Sequence, residues 1–435
     1  SSGRLSRMGM SRRREYMEPE SDWDVIVVGA GLAGLCAAAT AQRTGNRVVV
    51  LEAHEPGGRA RTVERHGFVL NMGAHALYRR GVGTRVLADL GVIPTGESPP
   101  LTHYRALAGG RLHVLPTGPG SLLRSGAIDA RSKVQLARLL GTLARRRPDK
   151  LGSLSVREWL AGLRIRPDVE SVVFGLLRLS TYASDFDRFS ADAALRQLQI
   201  AASGGVLYLH RGWAQLIDAL SVSVDVRTGV ELTGLDRVAG RLEVRTDQGS
   251  LAARRVVVAT GGPPAVRRLL PGDPGWDDLG PPVTAACLDL GVRNIPTPGY
   301  IVSLDDPMYA TVQSPPARQA PDGHAVMAAV RYGARSAEQD RPELERLVAR
   351  AGVGPDDIVT RRFLAHMTVA GAMPRPDDGG LSGRPRVVDS GVPGVTVAGD
   401  WIGPQGLLAD AALASGHAAG LLAGRDRSDS SIVVA

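Results

Sequence analysis

Residues 24–34 read Asp-Val-Ile-Val-Val-Gly-Ala-Gly-Leu-Ala-Gly, and residues 48–52 read Val-Val-Val-Leu-Glu. The first run is an apolar strand that breaks into glycines at 29, 31 and 34. The second is another apolar strand with an acid at its tip, 18 residues past the last glycine. Between them, 32–44 has helical spacing and stops at Gly45-Asn46, a left-handed C-terminal signal. Strand, glycine turn, helix, strand and acid describe a dinucleotide-binding βαβ unit. Gly29 permits the tight turn, Gly31 lets the backbone approach a pyrophosphate, and Gly34 lets the helix pack on the strand. Ala30, Leu32 and Ala33 complete the turn and the helix start, whose free N–H groups face the phosphates. Glu52, with Ala53 behind it, is placed to accept hydrogen bonds from ribose hydroxyls.

Composition narrows the function classes. The chain has 435 residues, enough for two or three domains, and 43% hydrophobic content, which suits a cored protein. Its formal charge is +8, carried by fifty arginines and only two lysines, Lys133 and Lys150. That ratio reads as genomic bias. Aromatic residues are 4% of the chain and are not interleaved with the basic ones, which argues against nucleic acid as a partner. The basic balance leaves room for peripheral contact with an anionic membrane. Cys36 and Cys287 form neither a disulfide framework nor a zinc motif, so no metal site is expected and a cytoplasmic location is. No apolar run reaches membrane-spanning length, and the glycine-broken run at the N-terminus does not read as a signal peptide.

Further along, 120–200 has helical spacing at 133–146, 156–163 and 172–179. Short β-type runs follow at 224–230, 234–238, 241–246 and 254–260 and read as a β-meander ending in a buried strand, 256–259. Residues 283–370 mix strand-like and loop segments. The chain closes on Val395-Thr396-Val397-Ala398-Gly399-Asp400 and a small-residue helix over 408–422.

Three separated pieces thus fit one cofactor: the N-terminal unit, the meander strand ending at Ala259, and Gly399-Asp400. Together they resemble the flavin-containing amine oxidase and phytoene desaturase superfamily. The resemblance implies an α/β fold: a discontinuous Rossmann-like FAD-binding domain with a β-meander, plus a mixed α+β substrate (cap) domain. The expected division is a tail at 1–21, the FAD-binding domain at 22–85, 204–275 and 384–425, the substrate domain at 86–203 and 276–383, and a second tail at 426–435. It implies further that Gly57, Gly58 and Arg59 run past the diphosphate and the flavin. Gly73 and Ala74 bring backbone to the ring, the Val230 backbone meets the adenine, and Asp400 binds ribityl or diphosphate oxygens. Leu407 and Leu408 open a helix aimed at the flavin pyrimidine. No cysteine follows Cys287, so FAD is expected to be non-covalent.

His75 is the candidate catalytic or substrate-orienting residue, against a plain backbone-bonded turn histidine. Hydride transfer to a flavin needs a substrate C–H held against the ring in a dry cavity. The expected activity is therefore an FAD-dependent oxidoreductase acting on a largely apolar small molecule, phytoene desaturase-like, with an unknown electron acceptor. Amine oxidases of the superfamily usually keep a lysine near the flavin, and neither Lys133 nor Lys150 falls where that lysine belongs. Oxidation of an amine to C=N, redox-neutral isomerisation and prenyl-lipid carriage without catalysis are the rival readings.

Overall fold

The computed structural model describes residues 23–238 and 240–425. The two tail expectations, 1–21 and 426–435, lie outside the described residues.

Strand β1, Trp23–Val28, is buried on both faces. Val25 and Val27 enter one core, while Ile26 and Val28 enter another. That two-sided burial explains the unbroken apolar run. Helix α1, Leu32–Arg43, covers the first face and ends at Thr44 before Gly45, which takes φ +86°. Strand β2, Val48–Glu52, lies parallel to β1. On the other side of β1 the long strand Gly249–Val258 runs parallel to it and then pairs with Val395–Val397. Strands Arg241–Thr246 and Leu232–Val238 extend the sheet antiparallel.

One sequence expectation changes here. The run at 224–230 is not the first meander strand. Asp225–Thr228 crosses to the opposite edge and pairs parallel with β2, so the meander has three strands. A β-type run carries no information about which edge it joins, because edge choice is settled by the packing of the preceding helix, Ala214–Ser221, against α1.

The second large sheet is stronger than the strand-and-loop mixture expected for 283–370. Five of its seven strands come from there: Val283–Val292, Ile301–Ser303, Met308–Ser314, Ala325–Tyr332 and Ile358–Ala370. The hairpin Arg105–Ala108 and Arg111–Val114 supplies the other two. Helices Ala130–Thr142, Val156–Gly162, Pro167–Thr181 and Ala191–Gly204 pack beside it in one continuous apolar core. No helix among the described residues is long and apolar enough to cross a membrane.

The final helix, Leu408–Gly424, crosses α1 at very close range. A Cβ on Gly416 would sit 2.3 Å from the Ala33 carbonyl oxygen, and one on Gly420 would sit 2.4 Å from that of Ala37. The glycines therefore set the depth at which the C-terminal helix docks on the first βαβ unit.

Candidate functional site

One cavity of about 1340 Å³ touches every segment singled out in the sequence except the strand end at Val230. Its wall includes Gly29, Gly31, Leu32 and Ala33, then Glu52, then Gly57, Gly58 and Arg59. Ala74, His75, Ala259, Gly399, Asp400 and Leu408 complete the group. Ala30, Gly34, Ala53, Gly73 and Leu407 are not part of this wall. Val230 lies beyond it too, its N–H donating to the Glu52 carbonyl at 3.0 Å.

The glycines earn their places by geometry. Gly29 takes φ +101°, and a Cβ there would lie 2.7 Å from the Ala259 oxygen. A Cβ on Gly34 would lie 1.9 Å from the Gly29 oxygen, so only glycine lets α1 start so near β1. Gly31 is different. A Cβ there would meet no protein atom within 4 Å, yet the residue lines the cavity. The missing side chain leaves an empty volume of the kind that a pyrophosphate cradle needs. Gly57 donates its N–H to the Ala30 carbonyl at 2.8 Å, so the second glycine turn is laced across the first.

Glu52 is committed on both oxygens. Oε2 accepts the Ala30 N–H at 2.7 Å and Oε1 accepts the His54 N–H at 2.9 Å. Each oxygen keeps a lone pair for an incoming hydroxyl. Glu52→Ala is expected to weaken FAD retention by roughly 1–3 kcal/mol. Full flavin content after dilution and gel filtration would show that the ribose lies elsewhere.

Asp400 is buried, and Arg59 grips it from the half-exposed side. Arg59 donates to Oδ1 at 2.7 Å and to Oδ2 at 2.8 Å, and the Gly371 N–H adds a third bond to Oδ2 at 3.0 Å. Arg384, which the sequence did not single out, donates to the carbonyls of Asp400 and Gly406 at 3.0 and 2.9 Å. Burial lowers its pKa to about 10. Ser415 Oγ accepts the Gly399 N–H at 3.0 Å and donates to the Gly399 carbonyl at 2.8 Å. The final turn is thereby tied to the final helix. Trp401 points away and packs edge-to-face on Trp276 in the core.

His75 lines the cavity. Its Nδ1 lies 2.9 Å from the Gly73 carbonyl, so that nitrogen carries the proton, and burial lowers the ring pKa. The turn that carries it rests on a buried ion pair: the sequence favours a solvated or salt-bridged role for Arg361 and Arg362 but does not name Asp289 as the partner. Arg362 Nη2 reaches Asp289 Oδ2 at 2.6 Å and also donates to the Asn71 carbonyl. Cys287 Sγ donates to Asp289 Oδ1 at 3.2 Å. Both cysteines are buried and free.

Away from the glycine turns the wall becomes apolar: Leu115, Leu140, Leu143, Leu176, Leu179 and Leu198. Tyr182, Tyr208 and Tyr309 also reach it, whereas Phe174, Phe186, Tyr300 and Tyr332 serve the surrounding core. Tyr182 bonds Tyr309 through the hydroxyls and donates to the Ala74 carbonyl at 2.8 Å. His366 lines the cavity. His210 does not, and accepts the Arg318 N–H at 3.3 Å. Neither lysine reaches the wall. Among the described residues no cluster of potential ligands could hold a metal ion.

The family description "flavin containing amine oxidoreductase" matches residues 32–422. The chain belongs to this family of flavin-containing amine oxidoreductases. The putative flavin-containing monoamine oxidase AofH of Mycobacterium tuberculosis is 28% identical over 291 residues, covering 61% of this chain and 62% of that protein. The carotenoid phi-ring synthase of Streptomyces griseus is 29% identical over 286 residues, covering 58% and 55%. The chain thus spans less than two thirds of the length of these curated relatives. An oxidoreductase from Methanosarcina mazei has the same fold, with TM-score 0.71 at 17% identity over 91% of this chain and 99% of that one.

The cofactor of this flavin-containing family member is FAD. The residues present fit it, since the open space at Gly31, two helix N-termini and the carboxylates of Glu52 and Asp400 all line one cavity. Leu408 and Asp410 open the final helix on that wall.

Asp410 has a further property. It is buried, Oδ1 accepts the Gly83 N–H at 2.9 Å, and Oδ2 has no protein partner. Burial raises its pKa from 3.8 to about 6, against the downward pull of the Gly83 N–H and of Arg85. The folded chain therefore holds an extra proton between these values. The associated stability is fully present below pH ~4 and is lost as pH rises through ~6, on the order of 3 kcal/mol in all. Asp410→Asn should remove that loss. Urea unfolding of both proteins at pH 4 and pH 7 checks it, and parallel pH dependence would refute the assignment.

Proposed function

We propose that the chain is an FAD-dependent oxidoreductase that takes a hydride from a largely apolar small molecule and leaves a C=C bond. One observation carries this reading. Away from the glycine turns the wall is mostly leucine, alanine and tyrosine, with Phe363, Met367, Gln313 and His366, while the cavity's carboxylates, Glu52, Asp400 and Asp410, all sit on the segments proposed to hold the cofactor. Nothing on the substrate side offers an ammonium group a counter-charge. The relative named for carotenoid chemistry supports the same direction.

In this proposal the segment Gly29–Gly34 and the turn Gly57–Arg59 hold the diphosphate, Glu52 holds the adenosine ribose, and the Val230 backbone meets the adenine. Asp400, held by Arg59, faces the ribityl and diphosphate oxygens, and Leu407–Leu408 face the pyrimidine ring. When bound, FAD supplies the hydride acceptor. The protein's part is to exclude water, orient the C–H and receive the proton from the neighbouring carbon. His75 is our candidate for that last task. With Nδ1 committed to the Gly73 carbonyl, Nε2 is the ring nitrogen that would accept this proton, with the Arg59 backbone also set against the ring. The domain division set out from the sequence is part of the same proposal.

Oxidation of an amine to C=N is the second reading. It is favoured by the relative named as a putative monoamine oxidase and by the Tyr182–Tyr309 edge-to-face pair, whose rings can face a cation. Anaerobic mixing of the flavin-loaded protein with isoprenoid and amine panels separates the two. Bleaching of the visible flavin band by isoprenoids, with slow return in air, is expected. Bleaching by amines alone, with fast return and peroxide release, would replace the first reading by the second.

A further inference from the structure

Between residues 101 and 147 the chain carries nine arginine and lysine side chains and one carboxylate, Asp129. That excess of eight positive charges equals the formal net charge of the whole protein. The one carboxylate is itself occupied. It caps helix Ala130–Thr142 through the Ser132 N–H at 2.8 Å and pairs with Arg166 at 2.8 Å. The basic character of this protein is thus the property of one contiguous stretch.

The same stretch exposes large apolar side chains. Leu101 is 66% exposed and Leu123 is 78% exposed, and Leu112 and Val134 are exposed with them. Its elements pack on one another: strand Arg111–Val114 on helix Pro119–Arg124, and that helix on Ala130–Thr142. Lys133 Nζ ties the two helices by donating to the Leu123 carbonyl at 3.0 Å. On helix Ala130–Thr142 the exposed Arg131 and Arg138 lie one turn either side of Val134, and exposed Arg124 follows Leu123 directly.

This stretch also contributes to the cavity wall. Leu101, Leu115, Thr117, Leu140 and Leu143 line it, and Leu101 and Thr117 are at the same time exposed. Ser98 and Ser203, also exposed, line the same cavity. The apolar interior therefore reaches the surface through the region where the positive charge and the exposed leucines are concentrated.

We propose that residues 101–147 dock on the surface of an anionic lipid bilayer, with Leu101, Leu123 and Val134 entering the acyl boundary and the arginines meeting the headgroups. An apolar face flanked by basic residues is the pattern that binds such a surface. Docked in this way, the cap end of the cavity opens toward the membrane, and an apolar substrate need not cross water to reach it. The inference rests on the proposed apolar substrate only for its purpose. The docking itself rests on charge and exposure.

The test is flotation of the full-length, flavin-loaded protein with phosphatidylcholine vesicles, with and without phosphatidylglycerol. Binding is expected only with the anionic lipid and should fall as salt rises. The double variant Arg124→Glu/Arg131→Glu and the single variant Leu123→Asp should each lower binding by roughly tenfold or more. None of these residues lines the cavity, so flavin content should stay unchanged and reports intact folding. Absence of binding to anionic vesicles at low salt would overturn the proposal. So would binding that Leu123→Asp leaves intact while the charge variant loses both vesicles and heparin, which would mean a soluble acidic polymer. Vesicle binding by a protein whose flavin only amines bleach would leave the docking standing and remove the desaturase reading.

Discussion

Gly31→Val should yield a folded protein that purifies without flavin. The added side chain meets no protein atom within 4 Å at its Cβ, so the βαβ unit has no reason to shift. It projects instead into the cavity beside Gly58, where the diphosphate is proposed to lie. Losing two or more charge-assisted N–H bonds there costs roughly 3 kcal/mol or more, about a hundredfold or greater in affinity. The ratio of visible to ultraviolet absorbance after gel filtration reads the flavin, and a melting curve reads the fold. Gly34→Ala is the internal contrast. Its Cβ would collide with the Gly29 carbonyl at 1.9 Å, so this smaller change should damage folding as well as binding. A Gly31→Val protein that retains full flavin would remove the proposed diphosphate site.

Asp289→Ala should be among the most destabilising single substitutions in the molecule. The side chains of Asp289 and Arg362 are 4% and 9% exposed and lie 2.6 Å apart. Removing the carboxylate strands a guanidinium that cannot reach water, at a cost of about 3–5 kcal/mol. Arg362 also donates to the Asn71 carbonyl, and the chain runs from there through Met72 and Gly73 to His75. Loss of the pair should therefore loosen the turn that carries His75 and reduce flavin content together with stability. The double variant Asp289→Ala/Arg362→Leu should recover most of the stability, because it leaves no unpaired charge. Denaturant midpoints of the three proteins decide the matter. Equal stability of Asp289→Ala and the native chain would show that the pair does not anchor this turn.

The first βαβ unit was legible because its requirements are local. A glycine at 29, 31 or 34 answers to a φ angle, a ligand-sized gap or a helix–strand approach, all set within a few residues of chain. The strand ending at Ala259 and the Gly399-Asp400 turn were legible for a related reason, since a strand buried on both faces leaves an apolar run of its own. The edge position of Asp225–Thr228 was not legible, because the same residues satisfy a meander and a parallel edge equally well.

The partners in the ion pairs were hidden. Asp289 and Arg362 are separated by 73 residues and Arg59 and Asp400 by 341, and no spacing rule links charges that meet only across a sheet or between separate segments. Burial decides such partners, and burial is a property of the folded chain. The leucines of the cavity wall look like any helix core in sequence; whether a given leucine faces a neighbour or an open volume is decided only by how helices Ala130–Thr142, Pro167–Thr181 and Ala191–Gly204 settle on the second sheet. The sequence by itself determined the cofactor class and the glycine framework that would receive it. The tertiary structure alone decided the shape and polarity of the space in front of that framework, because packing between distant segments sets what remains unfilled.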